Sequence, residues 1–209
     1  MTDIPLRIDT PKGGKTGLSI VLAHGAGAGM DSPFMQRMAE ALAAASFRVV
    51  RFEFPYMQES RTTRKRSRPD PPGVLEETWT RVIEQVGPAG ELVIGGKSMG
   101  GRIASMVADR AGVRGLVCLG YPFHPAGRPD SLRVAHLEKL KTRSLFVQGT
   151  RDTLGSKEDI AGYSLSDAIK LVYLEDGDHS FKPRKSSGRT YEQNFRQAVE
   201  QITEFCSSL

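Results

Sequence analysis

Cysteine is scarce in this sequence, and its scarcity removes several classes of protein at once. Cys118 lies in an apolar run and Cys206 near the C-terminus, too few for a disulfide framework and without metal-ligand spacing. They read as reduced thiols, one of them buried. Hydrophobic runs are short: none approaches the roughly 18 residues a bilayer-spanning helix needs. The opening stretch MTDIPLRIDTPKGGK lacks the apolar core of a secretion signal, so a soluble cytoplasmic protein without stable membrane association is expected. No repeat or linker divides the chain, which reads as one domain over residues 1–209. Acidic residues are also in deficit, leaving a net charge of +5. That excess is local: "RTTRKRSR", Arg61 to Arg68, holds five basic residues and no acid. It reads as a solvated basic loop or a contact for an anionic partner. Without interleaved aromatics for base stacking, nucleic-acid binding is not expected.

What is present is an alternation of buried runs and helical patterns. Strands are expected at Leu18–Ala23, Val49–Glu53, Leu92–Gly95, Gly115–Leu119, Leu145–Gln148 and Lys170–Leu174. Helices are expected at Phe34–Ala45, Leu75–Val86, Met99–Arg110, Glu158–Leu165 and Tyr191–Phe205. Near-continuous apolar strands of this kind are buried on both faces. The pattern predicts an α/β fold: a doubly wound, mostly parallel sheet of about six to seven strands with helices on both faces. Pro55–Gly73 and Tyr121–Arg133 read as loops at the carboxyl edge of that sheet, where such folds bind ligands. There is no room for a large lid.

The stretch "LVIGGKSMGGRIAS" carries two competing signatures. A phosphate-binding loop needs glycine six residues before its lysine, and that position is Glu91. The pattern G-x-S-x-G fits fully with Gly96, Ser98 and Gly100, between an expected strand and an expected helix. Such a bend lifts a serine hydroxyl above the sheet. Gly100, Ala104 and Ala108 then recur every fourth residue, a small-residue stripe that lets the helix lie close to the sheet.

A serine needs a base to take its proton, and only four histidines exist. His179, in "EDGDHSF", follows the last expected strand and is the candidate. The acid that orients it is Asp152, in "VQGTRDTLG", with Asp159, Asp176 and Asp178 as substitutes. The order Ser98, Asp152, His179 is the chain order of one fold. The oxyanion formed on attack needs fixed N–H donors, expected from Met99 and from Ala26, with Gly27 as the near alternative. His24 then reads as a structural residue beneath that loop. A dinucleotide-binding reading of Gly25-Ala26-Gly27 fails at Met30, too bulky for the last glycine position. Lys97 and Arg102, flanking the bend, read as surface charges.

With "HGAGAGMDSPFM", "GGKSMGGR", "GYPFHPAGRP", "GTRD" and "DGDHSF" in hand, the chain resembles the α/β-hydrolase superfamily over nearly its whole length. It is most similar to small lidless members related to dienelactone hydrolases. Within them it resembles a group that includes uncharacterised bacterial proteins, a testis-expressed animal protein and a subunit of an animal histone acetyltransferase complex. Dienelactone hydrolases carry cysteine where this chain has Ser98, which favours ester-type acyl transfer. The resemblance implies that Tyr121, Phe123 and His124 line the pocket, with Gly27 nearby. It implies a serine hydrolase, a carboxylesterase or related acyl hydrolase on small soluble ester-type substrates, with no metal or organic cofactor. The alternative is a hydrolase fold kept as a binding or assembly module. Oligomeric state is not legible.

Overall fold

A computed structural model describes residues 3–11, 13 and 17–209. Part of the opening stretch read for a secretion signal lies outside the described residues. Among the described residues seven strands form one sheet: β1 (Leu6–Asp9), β2 (Ser19–Ala23), β3 (Arg48–Phe52), β4 (Leu92–Lys97), β5 (Gly115–Leu119), β6 (Ser144–Gly149) and β7 (Ile169–Leu174). Their order is β1-β3-β2-β4-β5-β6-β7, with β1 antiparallel to β3 and every other pair parallel. The helices are α1 (Pro33–Ala44), α2 (Pro55–Thr63), α3 (Pro72–Val86), α4 (Met99–Ala111), α5 (Lys157–Ile160) and α6 (Tyr191–Ser207).

Strand side chains alternate between two cores, as the two-residue period of a pleated chain requires. Val21, Ile94, Leu116, Cys118 and Phe146 pack with α3 and α4 on one face. Ile20, Leu22, Val93, Val117 and Val147 pack with α1 and α6 on the other. Both faces being covered explains why these strands lack polar alternation. Cys118 and Cys206 are free thiols, each buried in one of the two cores. Among the described residues no helix is long and apolar enough to cross a membrane.

The structure corrects the expected elements in three places. The Pro55–Gly73 loop begins with α2, started by Pro55 in its first turn, which also takes up Arg61 of the basic run. The expected helix Glu158–Leu165 is a single turn, α5, closed by a capping box between Ser156 and Asp159 and ended before Gly162. β1 is an additional edge strand. It is held by Arg51, fully buried on β3, whose guanidinium meets the Asp9 carboxylate at 2.7 Å.

After β2 the chain crosses outward to β3, then returns to place β4 on the other side of β2. Loops leaving the carboxyl ends of β2 and β4 therefore diverge, and the crevice between them is where doubly wound sheets bind ligands.

Candidate active site

The bend after β4 is built by close backbone contacts. A Cβ on Gly96 would lie 2.1 Å from the Ala23 carbonyl oxygen, and one on Gly100 would lie 2.5 Å from the same atom. Only glycine permits that approach. Between them Ser98 adopts φ 52°, a left-handed conformation costly for a residue with a side chain, and its N–H donates to Leu119 O at 2.9 Å. Ser98 stands at the N-cap of α4, but its hydroxyl turns to His179 rather than capping the helix.

Loops after β6 and β7 bring the other two residues to the same edge. His179 Nε2 is 2.9 Å from Ser98 Oγ, and His179 Nδ1 is 2.8 Å from Asp152 Oδ2. Asp152 is fully buried, while the imidazole is partly exposed. The second carboxylate oxygen accepts from the Leu154 amide at 2.9 Å. Gln148, which the sequence reading did not single out, donates to Asp152 Oδ2 at 2.9 Å and accepts from the Tyr121 amide at 2.8 Å. Its only signal was a polar residue closing the apolar run "LFVQ".

The substitute acids are engaged elsewhere. Asp159 caps α5, and Asp178 accepts from the amides of Ser180 and Lys182. Ion pairs with Arg184 and Arg151 pull the carboxyl of Asp176 down to about 2.

The loop after β2 lies against Ser98, with a Cβ on Gly25 falling 3.6 Å from the serine Cβ. Its carbonyls are tied on one side. Gly25 O accepts from His24 Nδ1 at 2.7 Å, and Tyr56 Oη bridges Gly25 O and Ala26 O at 3.3 and 3.2 Å. In a trans peptide the N–H points opposite to the carbonyl of the same plane. Fixing the Gly25 and Ala26 carbonyls therefore fixes the amides of Ala26 and Gly27 to face away from Tyr56. The amide of Met99 opens α4, where N–H groups have no intrahelical acceptor.

His24 is fully buried, and burial lowers its pKa. Because Gly25 O can only accept, Nδ1 carries the proton, leaving Nε2 to accept from the Phe54 amide at 3.2 Å. Glu53, just past β3, is buried against Arg61 and the Met30 amide.

A cavity of about 340 Å³ opens beside Ser98, with Ala26, Gly27, Phe34, Lys97 and His179 among its walls. Tyr121, Phe123 and His124 are not in that wall, a correction to the expected pocket. Gly120, at φ 63°, turns the chain inward. Tyr121 and Phe123 are then fully buried, Tyr121 stacking on Phe146 at 5.0 Å. They support the loop that carries Asp152, since Tyr121 bonds Gln148 and Phe123 lies under Gly155. His124 is buried, its Nδ1 3.0 Å from Pro125 O. Lys97 is not the surface charge expected: its Nζ is sealed from solvent, whereas Arg102 is half-buried with its Nε enclosed.

Comparison with known proteins agrees with this architecture. The family described as alpha/beta hydrolase domain matches residues 16–207. Among solved structures, an alpha-beta serine hydrolase homologue from Coxiella burnetii superposes with a TM-score of 0.68 at 20% identity, covering 98% of this chain and 90% of that one. A lidless a/b serine hydrolase from Xanthomonas campestris gives 0.63 at 18% identity, covering 94% and 88%. A dienelactone hydrolase from Anabaena variabilis gives 0.67 at 23% identity, covering 97% and 90%. At these identities the likeness is one of fold.

Proposed function

We propose that this chain, which belongs to the alpha/beta hydrolase domain family, is a serine hydrolase that cleaves small carboxylic esters through an acyl-enzyme. One observation carries the reading: the relay from Ser98 Oγ through His179 to Asp152, at 2.9 and 2.8 Å. The names borne by two structural relatives, a serine hydrolase homologue and a lidless serine hydrolase, support the same chemistry.

In this mechanism Ser98 Oγ attacks the ester carbonyl carbon while His179 Nε2 takes the hydroxyl proton. Asp152 accepts from Nδ1–H throughout, holding the tautomer and stabilising the imidazolium. The carbonyl oxygen becomes an oxyanion and receives N–H bonds from Met99 and Ala26, worth about 3 kcal/mol each. The tetrahedral intermediate collapses, the C–O bond to the alcohol breaks, and His179 returns its proton to the leaving oxygen. Water, deprotonated by the same imidazole, then attacks the acyl-serine, releasing the acid and restoring Ser98. The cavity of about 340 Å³ and its small side chains fit short acyl groups.

Ser98→Ala is expected to lower kcat on a short-chain aryl ester by about 10⁴-fold or more. A fluorophosphonate should label the wild type at Ser98 and leave the variant unlabelled. Undiminished turnover in Ser98→Ala would overturn the assignment. A folded wild type that neither hydrolyses esters nor takes the label would favour a binding or assembly module.

A further inference from the structure

Lysine normally lays its stem on apolar surface and keeps its ammonium in water. Lys97, the last residue of β4 and the neighbour of Ser98, does the reverse. Its chain forms part of the cavity wall, while Nζ is sealed from solvent and has no hydrogen-bond partner among the described residues. The ring of Phe34, from α1, lies 5.8 Å from that nitrogen. Gly120 leaves the space it occupies: the point where a Cβ would sit is 2.9 Å from Lys97 Nζ and 3.3 Å from His179 Nδ1. The ammonium and the Nδ1 edge of the imidazole, the edge that meets Asp152, thus border the same point.

We propose that Lys97 is a positioning residue for the proton of this site: its ammonium, enclosed beside the Asp152–His179 pair, opposes the proton that Asp152 draws onto the imidazole. The proposal rests on the reading of Ser98, His179 and Asp152 as a catalytic triad. A buried carboxylate alone favours the imidazolium, and an imidazolium cannot accept the serine proton. A cation on the same side opposes that proton and offsets the pull of Asp152. The charged and titratable groups that face Lys97 are Asp152 from the loop after β6, with Asp178 and His179 from the loop after β7. Burial lowers the lysine itself to about 8, so it keeps its charge at neutral pH and loses it in alkaline solution. An unpaired buried charge is costly to the fold, and positions that keep such a cost are characteristically functional.

The test is the pH dependence of kcat/KM for a neutral short-chain aryl ester, from about pH 5 to about pH 10, in wild type and Lys97→Met. The acidic limb of the variant should move to higher pH by about one unit or more. Its activity should be reduced about tenfold more on that limb than at the alkaline end, where Lys97 is neutral. Lys97→Gln, uncharged but polar, should reproduce the shift and guards against a packing defect in the methionine variant. An acidic limb that stays in place, or a loss of equal size at every pH, overturns the proposal. A wild type that takes no fluorophosphonate and cleaves no ester removes the triad reading and this inference with it. A labelled, active protein whose limb does not respond to Lys97 removes this inference alone.

Discussion

At the scale of single residues, the site is a set of polar groups with fully assigned partners and one without. Asp152 is held by His179, Gln148 and the Leu154 amide, and His24 by Gly25 and Phe54. Lys97 is the exception, and its thermodynamic signature has a definite sign. Its value falls from 10.5 to about 8 on folding, because burial disfavours the ammonium. Between those two values the unfolded chain holds a proton that the folded chain has released, so stability rises with pH across that window. Below it the penalty is present in full. Lys97→Met should therefore be more stable than wild type at neutral pH, by an amount on the order of a few kcal/mol. The gap should close between about pH 8 and 10.5, as read from urea midpoints of the two proteins. The proposed triad was legible because its members follow strands in a fixed order. Lys97 and Gln148 were not, because what distinguishes them is the presence or absence of partners distant in the chain.

At the scale of elements, α2 joins the fold to the chemistry. It is polar, with Tyr56 as its buried residue, and for that reason it read as a loop. The phenol of Tyr56 reaches across to Gly25 O and Ala26 O, and burial raises its pKa, keeping it a proton donor through the neutral range. Tyr56→Phe should loosen the peptide planes beside Ser98 and lower kcat by about tenfold, with little change in KM or melting temperature. A shift in KM alone would show that the phenol serves substrate binding instead. Central strands were readable as continuous apolar runs because helices cover both faces. β1 and α5 were missed or overextended because an exposed four-residue edge and a single capped turn leave little periodic signal. The expected pocket aromatics failed at one turn: Gly120 sends Tyr121 and Phe123 inward, where they prop the acid-bearing loop.

At the scale of the whole molecule, the sheet is closed off on one side by an antiparallel strand and a buried ion pair. Arg51 is fully enclosed and also donates to Met30 O at 2.8 Å, so its charge depends on Asp9. Asp9→Ala should destabilise the protein by about 3 kcal/mol, seen as a lower denaturant midpoint, because it strands a buried guanidinium. An unchanged midpoint would mean that β1 contributes nothing to the folded state. The local basic excess is likewise partly neutralised by pairing, the exposed Arg61 being tied to buried Glu53 and to Asp31.

The glycine clamp around Ser98 has a further consequence. The Ser98 hydroxyl is located by main chain pressed on main chain, at Gly96, Gly100 and Ala23, whereas one wall of the hollow beside it is shaped by side chains from α1 and the segment before it. In the proposed reaction, part of what sets selectivity therefore lies on a different stretch of polymer from the nucleophile. A library confined to Ala28, Ser32 and Phe34 could recut what enters while leaving the nucleophile where it is.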